Sequence, residues 1–268
     1  MKHITRFLLC GIIALGFSAC TTTTTGGNVG ADRSQLLLVN EETMEESARQ
    51  SYEEVLQEAR ANGTLNTNAA TTQWVRNIAE RLIAQTGAFR EDALNWDWQV
   101  NVISDSTVNA WCMPGGRIVV YTGIIDSLDL TDAQLAAVMG HEIAHALREH
   151  SRERASQEGI KTVAVSAAAS ALGLGDGGLS LLTLASQYTI TLPNSRKHET
   201  EADHIGTELM ARAGYDPYEA VNVWKKMSAL GGSSVPQIMS THPSHETRIK
   251  DLEVIAQKVY PLYEATLQ

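Results

Sequence analysis

A chain of 268 residues, 43% hydrophobic and 19% charged, carries enough apolar side chain to bury a sizeable core, which excludes disorder of the whole. Its 21 basic and 31 acidic residues give a net charge of −10, whereas a nucleic-acid binder would need a basic footprint. Three cysteines are too few for a disulfide framework.

Residues 1–19 read as an address. Lys2 and Arg6 precede the apolar run Phe7–Phe17, which is shorter than the ~20 residues of a membrane span and suits the core of a signal peptide. Ser18 and Ala19 then lead to Cys20. The arrangement resembles a bacterial lipobox, with Phe17 where Leu is usual, and predicts acylation of Cys20 and a membrane partner reached through that lipid. Removal of residues 1–19 takes away Lys2 and Arg6, leaving 19 basic and 31 acidic residues, or −12. Thr21 rather than Asp after the cysteine points to the outer membrane of a bacterial envelope, facing the periplasm. Thr21 to Gly30 is polar and low in complexity, so residues 20–40 are expected to form a flexible tether and 41–268 one folded domain.

The elements follow in order. Glu41 to Arg60 has helical period and stops at Asn62-Gly63, and Thr72 to Gln85 is an amphipathic helix presenting Trp74, Val75, Ile78 and Leu82. Trp98, Val100 and Val102 alternate with polar residues as a strand does. Val108–Met113 and Arg117–Ile125 flank Pro114-Gly115-Gly116 and read as paired extended segments. Thr131 and Gln134 form a capping box for a long helix predicted to run through Ser151 and beyond. Gly173, Gly175 and Gly178 match G-x-G-x-x-G, but no strand precedes them, so a loop between helices is expected. A helix from about Arg196 ends at Gly214, and Asp216-Pro217 with Glu219 starts the next, which Gly231-Gly232 stops. Ser244 is positioned to cap a last helix carrying Ile249, Leu252 and Ile255 inward. The class is α+β, mostly helical, with a small sheet ahead of the capped helix.

The chemistry sits in the segment HEIAH. His141 and His145 are four apart on one helix face, ~6 Å along the axis, so both imidazoles can reach one zinc ion. Glu142 stands beside the first ligand, placed to take a proton from water that the ion acidifies. A third ligand is needed, and the acidic helix HETEAD offers Glu199, Glu201 and Asp203. Glu199 and Asp203 share a face, which assigns Glu199 to the metal and Asp203 to the outer nitrogen of a histidine ligand. Glu201 points the other way and reads as part of a solvated face. His150 lies off the ligand face, and His198, His204 and His245 are expected at the surface or behind the ligands. Cys112 reads as a small buried hydrophobe.

HEIAH, SRKHETEADHIGTELMARAGYDP, THPSHETRI and NAWCMPGGRIVVYTGII together resemble the zinc metallopeptidase family of the CAAX-prenyl proteases, HtpX and BepA, over residues 40 to 258. Periplasmic lipoprotein members such as LoiP look most similar. The membrane spans of the prenyl-protease and HtpX branches are missing, and Trp111-Cys112 stands where aromatic-Ala is common. The resemblance implies a gluzincin-like fold, one Zn2+ per chain, endopeptidase activity and Glu199 as third ligand. It also implies a catalytic set of Glu142, Asp203, His242 and Arg248, with His242 and Arg248 near the metal. His242 either donates to the oxyanion or fills the metal's open position at rest. Asn109, Ala110, Trp111, Cys112 and Met113 are expected to form an edge to which an extended substrate adds, which suits unfolded or misfolded protein. The competing expectation is an envelope chaperone or assembly factor of the same fold with little or self-inhibited proteolysis.

Overall fold

The computed structural model describes residues 20–187, 191–230, 237–242 and 247–268. Strands β1 (Cys20–Thr21) and β2 (Gln35–Leu36) pair antiparallel in a short ladder. Helices α1 (Glu41–Ala61) and α2 (Ala69–Ile83) follow, each opened by an Asn whose side chain accepts a backbone N–H of the first turn. A three-stranded sheet comes next, from β3 (Gln99–Ile103), β4 (Ala110–Met113) and β5 (Arg117–Tyr121), in the order β3-β5-β4. β5 runs parallel to β3 and antiparallel to β4, with Ala110 opposite Val120 and Met113 opposite Arg117.

Alternation along β5 divides the core. Ile118 and Val120 face the main core with Val75, Ile78 and Leu82 of α2. Val119 and Tyr121 face the opposite side, where Tyr52, Leu56 and Ala59 of α1 cover them together with Trp111 and Met113. The extended run ends sooner than expected: α3 (Thr122–Leu128) takes in Ile125. There the Gly123 amide donates to Asp105 O at 2.8 Å, and a Cβ on Gly123 would lie 2.4 Å from the Ser106 backbone. So close an approach of two backbones turns the chain out of the sheet.

Helix α4 (Asp132–Leu147) is the central element, packed against β4, α2 and two later helices. The capping box is present: Thr131 Oγ1 accepts from Gln134 N and Gln134 Oε1 from Thr131 N, and such a cap stabilises by ~1 kcal/mol. The predicted continuation through Ser151 is corrected. α4 ends at Leu147, and Glu149 takes a left-handed conformation (φ 49°) before α5 (His150–Ala171) sets off. The expected loop between helices is shorter than the glycine motif: Gly173 lies in the turn and Gly175 caps α6 (Asp176–Ser186), whose first turn takes in Gly178. α7 (Leu192–Arg212) begins a turn earlier than expected, with Pro193 in its first turn. Asp216 Oδ1 accepts from Tyr218 N at 2.9 Å to start α8 (Tyr218–Ala229). Short α9 (Gln237–Thr241) and α10 (Arg248–Thr266) complete the chain, α10 turning Leu252 and Ile255 inward. The expected roles of residues 1–19, Gly231-Gly232, Ser244 and His245 lie outside the described residues.

Residues 21–39 differ from the expected tether. Val29, Ala31 and Leu37 are buried, and Glu208 Oε2 of α7 accepts from the backbone N–H groups of Asn28 and Val29. Arg33 forks onto Glu153 of α5 and Glu201 of α7 at 2.7–3.0 Å. Low complexity concealed the attachment because its backbone N–H and Thr hydroxyl bonds, and the isolated apolar anchors Val29, Ala31 and Leu37, leave no periodic pattern.

Candidate metal centre

Four side chains converge from three places in the chain. The helical repeat of α4 stacks His141 and His145, whose Nε2 atoms are 3.1 Å apart. From α7, Glu199 brings Oε2 to 3.3 Å from His141 Nε2 and Oε1 to 3.5 Å from His145 Nε2. His242, just past α9, places Nδ1 3.2 Å from His141 Nε2 and 3.1 Å from Glu199 Oε2. All four ligand atoms lie within 4.8 Å of one another. Atoms bound at ~2.0–2.1 Å around a tetrahedral ion are ~3.3–3.4 Å from each other, so the set fits a small divalent metal of the zinc type. Three imidazoles and one carboxylate also suit its borderline softness.

The surroundings set the charge state. Burial alone would raise Glu199, but hydrogen bonds from His141 and His242 and the nearby His145 hold its carboxyl well below the usual range. Burial pushes the carboxyl of Glu142 up, against the pull of His242 and His141. Its Oε1 has no hydrogen-bond partner and lies 3.3 Å from His242 Nε2 without bonding geometry. A buried, unpartnered carboxylate oxygen beside a ligand pair is suited to receive a proton.

Behind the ligands, Asp203 Oδ1 lies 3.0 Å from His141 Nδ1 and accepts from Arg248 Nη2 at 2.7 Å. The Arg248 guanidinium, buried, stacks 3.3 Å over the Trp224 ring and lies 3.3 Å from Glu199. Asp203 and Arg248 therefore stand one step behind the ligand atoms, near enough to orient but not to ligate.

Sequence reasoning missed a second group of residues. His145 Nδ1 is 2.8 Å from His150 Nδ1, and His150 Nε2 is 3.0 Å from Glu201 Oε2. Glu201, expected on a solvated face, also accepts from Arg33 and Arg148 and is largely buried. His198 is buried too, stacked 4.4 Å from His150, with Nε2 3.1 Å from Glu153. The left-handed turn at Glu149 sets His150 against His145, which no helical-face argument could show.

β4 is an outer strand of the sheet and packs against α4; Asn109 immediately precedes it. Trp111 meets Tyr52 edge-on at 5.9 Å on the α1 side, and Cys112 packs on the main core. Burial raises the Cys112 thiol well above its ordinary value, and the charge of Glu142 adds to the rise.

The profile of Peptidase family M48 matches residues 69–256, more than half of the chain. The chain belongs to peptidase family M48. Members of this family are metal-dependent proteases, in keeping with the converging donors. Among its curated M48 relatives, the chain is 37% identical to the mitochondrial metalloendopeptidase OMA1 of Schizosaccharomyces pombe, over 77% of this chain and 59% of that protein. It is 30% identical to the Arabidopsis thaliana mitochondrial metalloendopeptidase OMA1, over 88% and 44%. The beta-barrel assembly-enhancing protease of Escherichia coli is 26% identical, over 77% and 43%. The M48 chain thus spans roughly half the length of the relatives it matches.

These relatives overturn the expected bacterial outer-membrane location: the Schizosaccharomyces pombe and Arabidopsis thaliana proteins, and two further relatives at 31% identity, carry mitochondrial names. That expectation rested on residues 1–19, Cys20 and the Thr21 that follows it. An address is read by other machinery and leaves no imprint on the packing of the M48 domain behind it.

Proposed function

We propose that this M48 chain is a zinc endopeptidase that cuts extended segments of unfolded or misassembled proteins. The observation that carries the reading is buried Glu142, whose Oε1 has no hydrogen-bond partner, beside a ligand cluster of His141, His145 and Glu199. A bound zinc ion supplies Lewis acidity toward water and the scissile carbonyl. Glu142 accepts the proton of the attacking water and returns it to the leaving amine. Glu199 and the two histidines would hold the ion, with Asp203 orienting His141 and Arg248 standing against Glu199. The outer edge of β4, Ala110–Met113, which no strand pairs among the described residues, offers backbone groups to which an extended substrate adds as a strand. Backbone pairing reads little sequence, which suits loose chains of varied composition. Cys20 is the proposed acylation site and so the route to a membrane partner, supported by Phe7–Phe17 and Ala19 before it.

One observation favours a second reading, an assembly factor whose proteolysis is self-inhibited. His242 stands inside the donor cluster, 3.1–3.2 Å from His141 and Glu199, where a resting enzyme would keep a fourth ligand. Donation to an oxyanion asks for a position beside the cluster, so the geometry supports the resting-ligand role.

The deciding assay is hydrolysis of fluorescent casein by the purified full chain, before and after chelation, with zinc content measured in parallel. Activity lost to chelator and restored by zinc supports the endopeptidase. Zinc bound at one per chain with no hydrolysis supports the self-inhibited reading, and hydrolysis that ignores chelation refutes both.

A further inference from the structure

We infer that His150 and Glu201 form an outer relay that fixes the tautomer and orientation of His145, making them positioning residues for the metal centre. The inference rests on the reading of His145 as a metal ligand.

The chain of contacts assigns the protons. Glu201 is a carboxylate already shared by the guanidinium groups of Arg33 and Arg148, at 2.9–3.1 Å, so it can only accept. His150 Nε2, 3.0 Å away, therefore carries a hydrogen. A second hydrogen on His150 would put a cation beside Arg148, stacked on His198 in a buried site, with a carboxylate whose charge is already matched. His150 is thus neutral, and its Nδ1 offers a lone pair. Only one hydrogen fits between that Nδ1 and His145 Nδ1, 2.8 Å apart, so it belongs to His145. The remaining nitrogen, His145 Nε2, is left bare and faces His141 and Glu199. That is the tautomer a metal needs.

The two ligand histidines are therefore served differently. His141 Nδ1 meets a carboxylate directly, at Asp203, whereas His145 reaches one through an intervening imidazole. The relay is also tied to the segment ahead of α1. Arg148 donates to Thr22 and Thr24 hydroxyls at 3.0–3.1 Å and to Arg33 O at 3.0 Å, while Arg33 itself grips Glu201. Residues 22–33 thereby hold the far end of the relay in place.

The test uses the full chain and compares His150→Gln with His150→Leu. A glutamine can accept from His145 Nδ1–H and donate to Glu201; leucine fills similar space and does neither. Zinc affinity by chelator competition should fall about 10–100-fold in H150L and be largely restored in H150Q. The visible spectrum of the cobalt-loaded protein should shift in H150L and return in H150Q. Equal affinity and spectra for the two variants would reduce His150 to a space-filling group and overturn the proposal. Should either variant fail to fold, the wild type decides: long-range proton–nitrogen NMR of the full chain must show His145 protonated at Nδ1 and His150 at Nε2, and the opposite tautomers refute the relay. Failure of the underlying metal reading is distinguishable, since the wild type would then bind neither zinc nor cobalt.

Discussion

Gly140 on α4 and Gly206 on α7 meet backbone to backbone where the two helices cross. A Cβ on Gly206 would lie 2.7 Å from the His141 amide nitrogen, and one on Gly140 would lie 2.9 Å from the Gly206 carbonyl oxygen. This approach brings Glu199 and Asp203, on one face of α7, to the two ring nitrogens of His141.

Gly206→Ala should therefore push α7 away from α4. Overpacking of this kind typically costs about 1–3 kcal/mol, so denaturant unfolding of the metal-free protein should show a loss in that range. Zinc affinity should fall as well, because Glu199 moves with its helix. Unchanged affinity would mean that the crossing does not set the ligand distance.

Glu142→Gln should retain zinc and lose proteolysis by about 10²–10⁴-fold, since it removes the proton acceptor and no ligand. Glu199→Gln should instead lower metal occupancy, measured by elemental analysis after dialysis. Proteolysis by E142Q at the wild-type rate would eliminate Glu142 as the base.

His242→Ala removes the fourth donor of the cluster. If His242 is a resting ligand, hydrolysis of casein should increase while zinc stays bound through His141, His145 and Glu199. A large fall in turnover with zinc retained would show that His242 works on the oxyanion instead.

Part of the acid sensitivity outside the donor cluster should trace to Glu153. Burial would raise its carboxyl, but hydrogen bonds from Arg33, His198 and Gln35 hold it well below the usual range. A depressed folded value contributes stability that is present above the unfolded value of ~4.3 and is lost as pH falls below it toward the folded value. Glu153→Gln should lower stability at neutral pH and flatten its decline below about pH 4.3, read from unfolding midpoints across pH. A decline as steep as in the wild type would place the acid sensitivity elsewhere.

What could be read from the chain was what a single helix or strand dictates. His141, Glu142 and His145 sit within one helical repeat behind a capping box at Thr131 and Gln134, and Glu199 and Asp203 share a face four residues apart. Short-range geometry fixes such relations wherever the helix goes, so residue spacing pointed to three of the four converging donors, His141, His145 and Glu199. The small sheet was legible too, from alternation at Trp98, Val100 and Val102 and from the turn signal at Pro114-Gly115-Gly116. Tertiary structure alone decided the rest. Glu149 adopts a left-handed conformation with nothing in its residue type to demand it, and that one turn swings His150 behind His145. Glu201 became a buried anchor because Arg33, 168 residues away, folds across α5 and α7 to meet it. His242, which the family resemblance placed near the metal, reaches the donor cluster from a loop no periodicity describes, and only the packing shows how close it stands. Local spacing specifies which residues share a face; which face meets which is set by the packing of the whole chain.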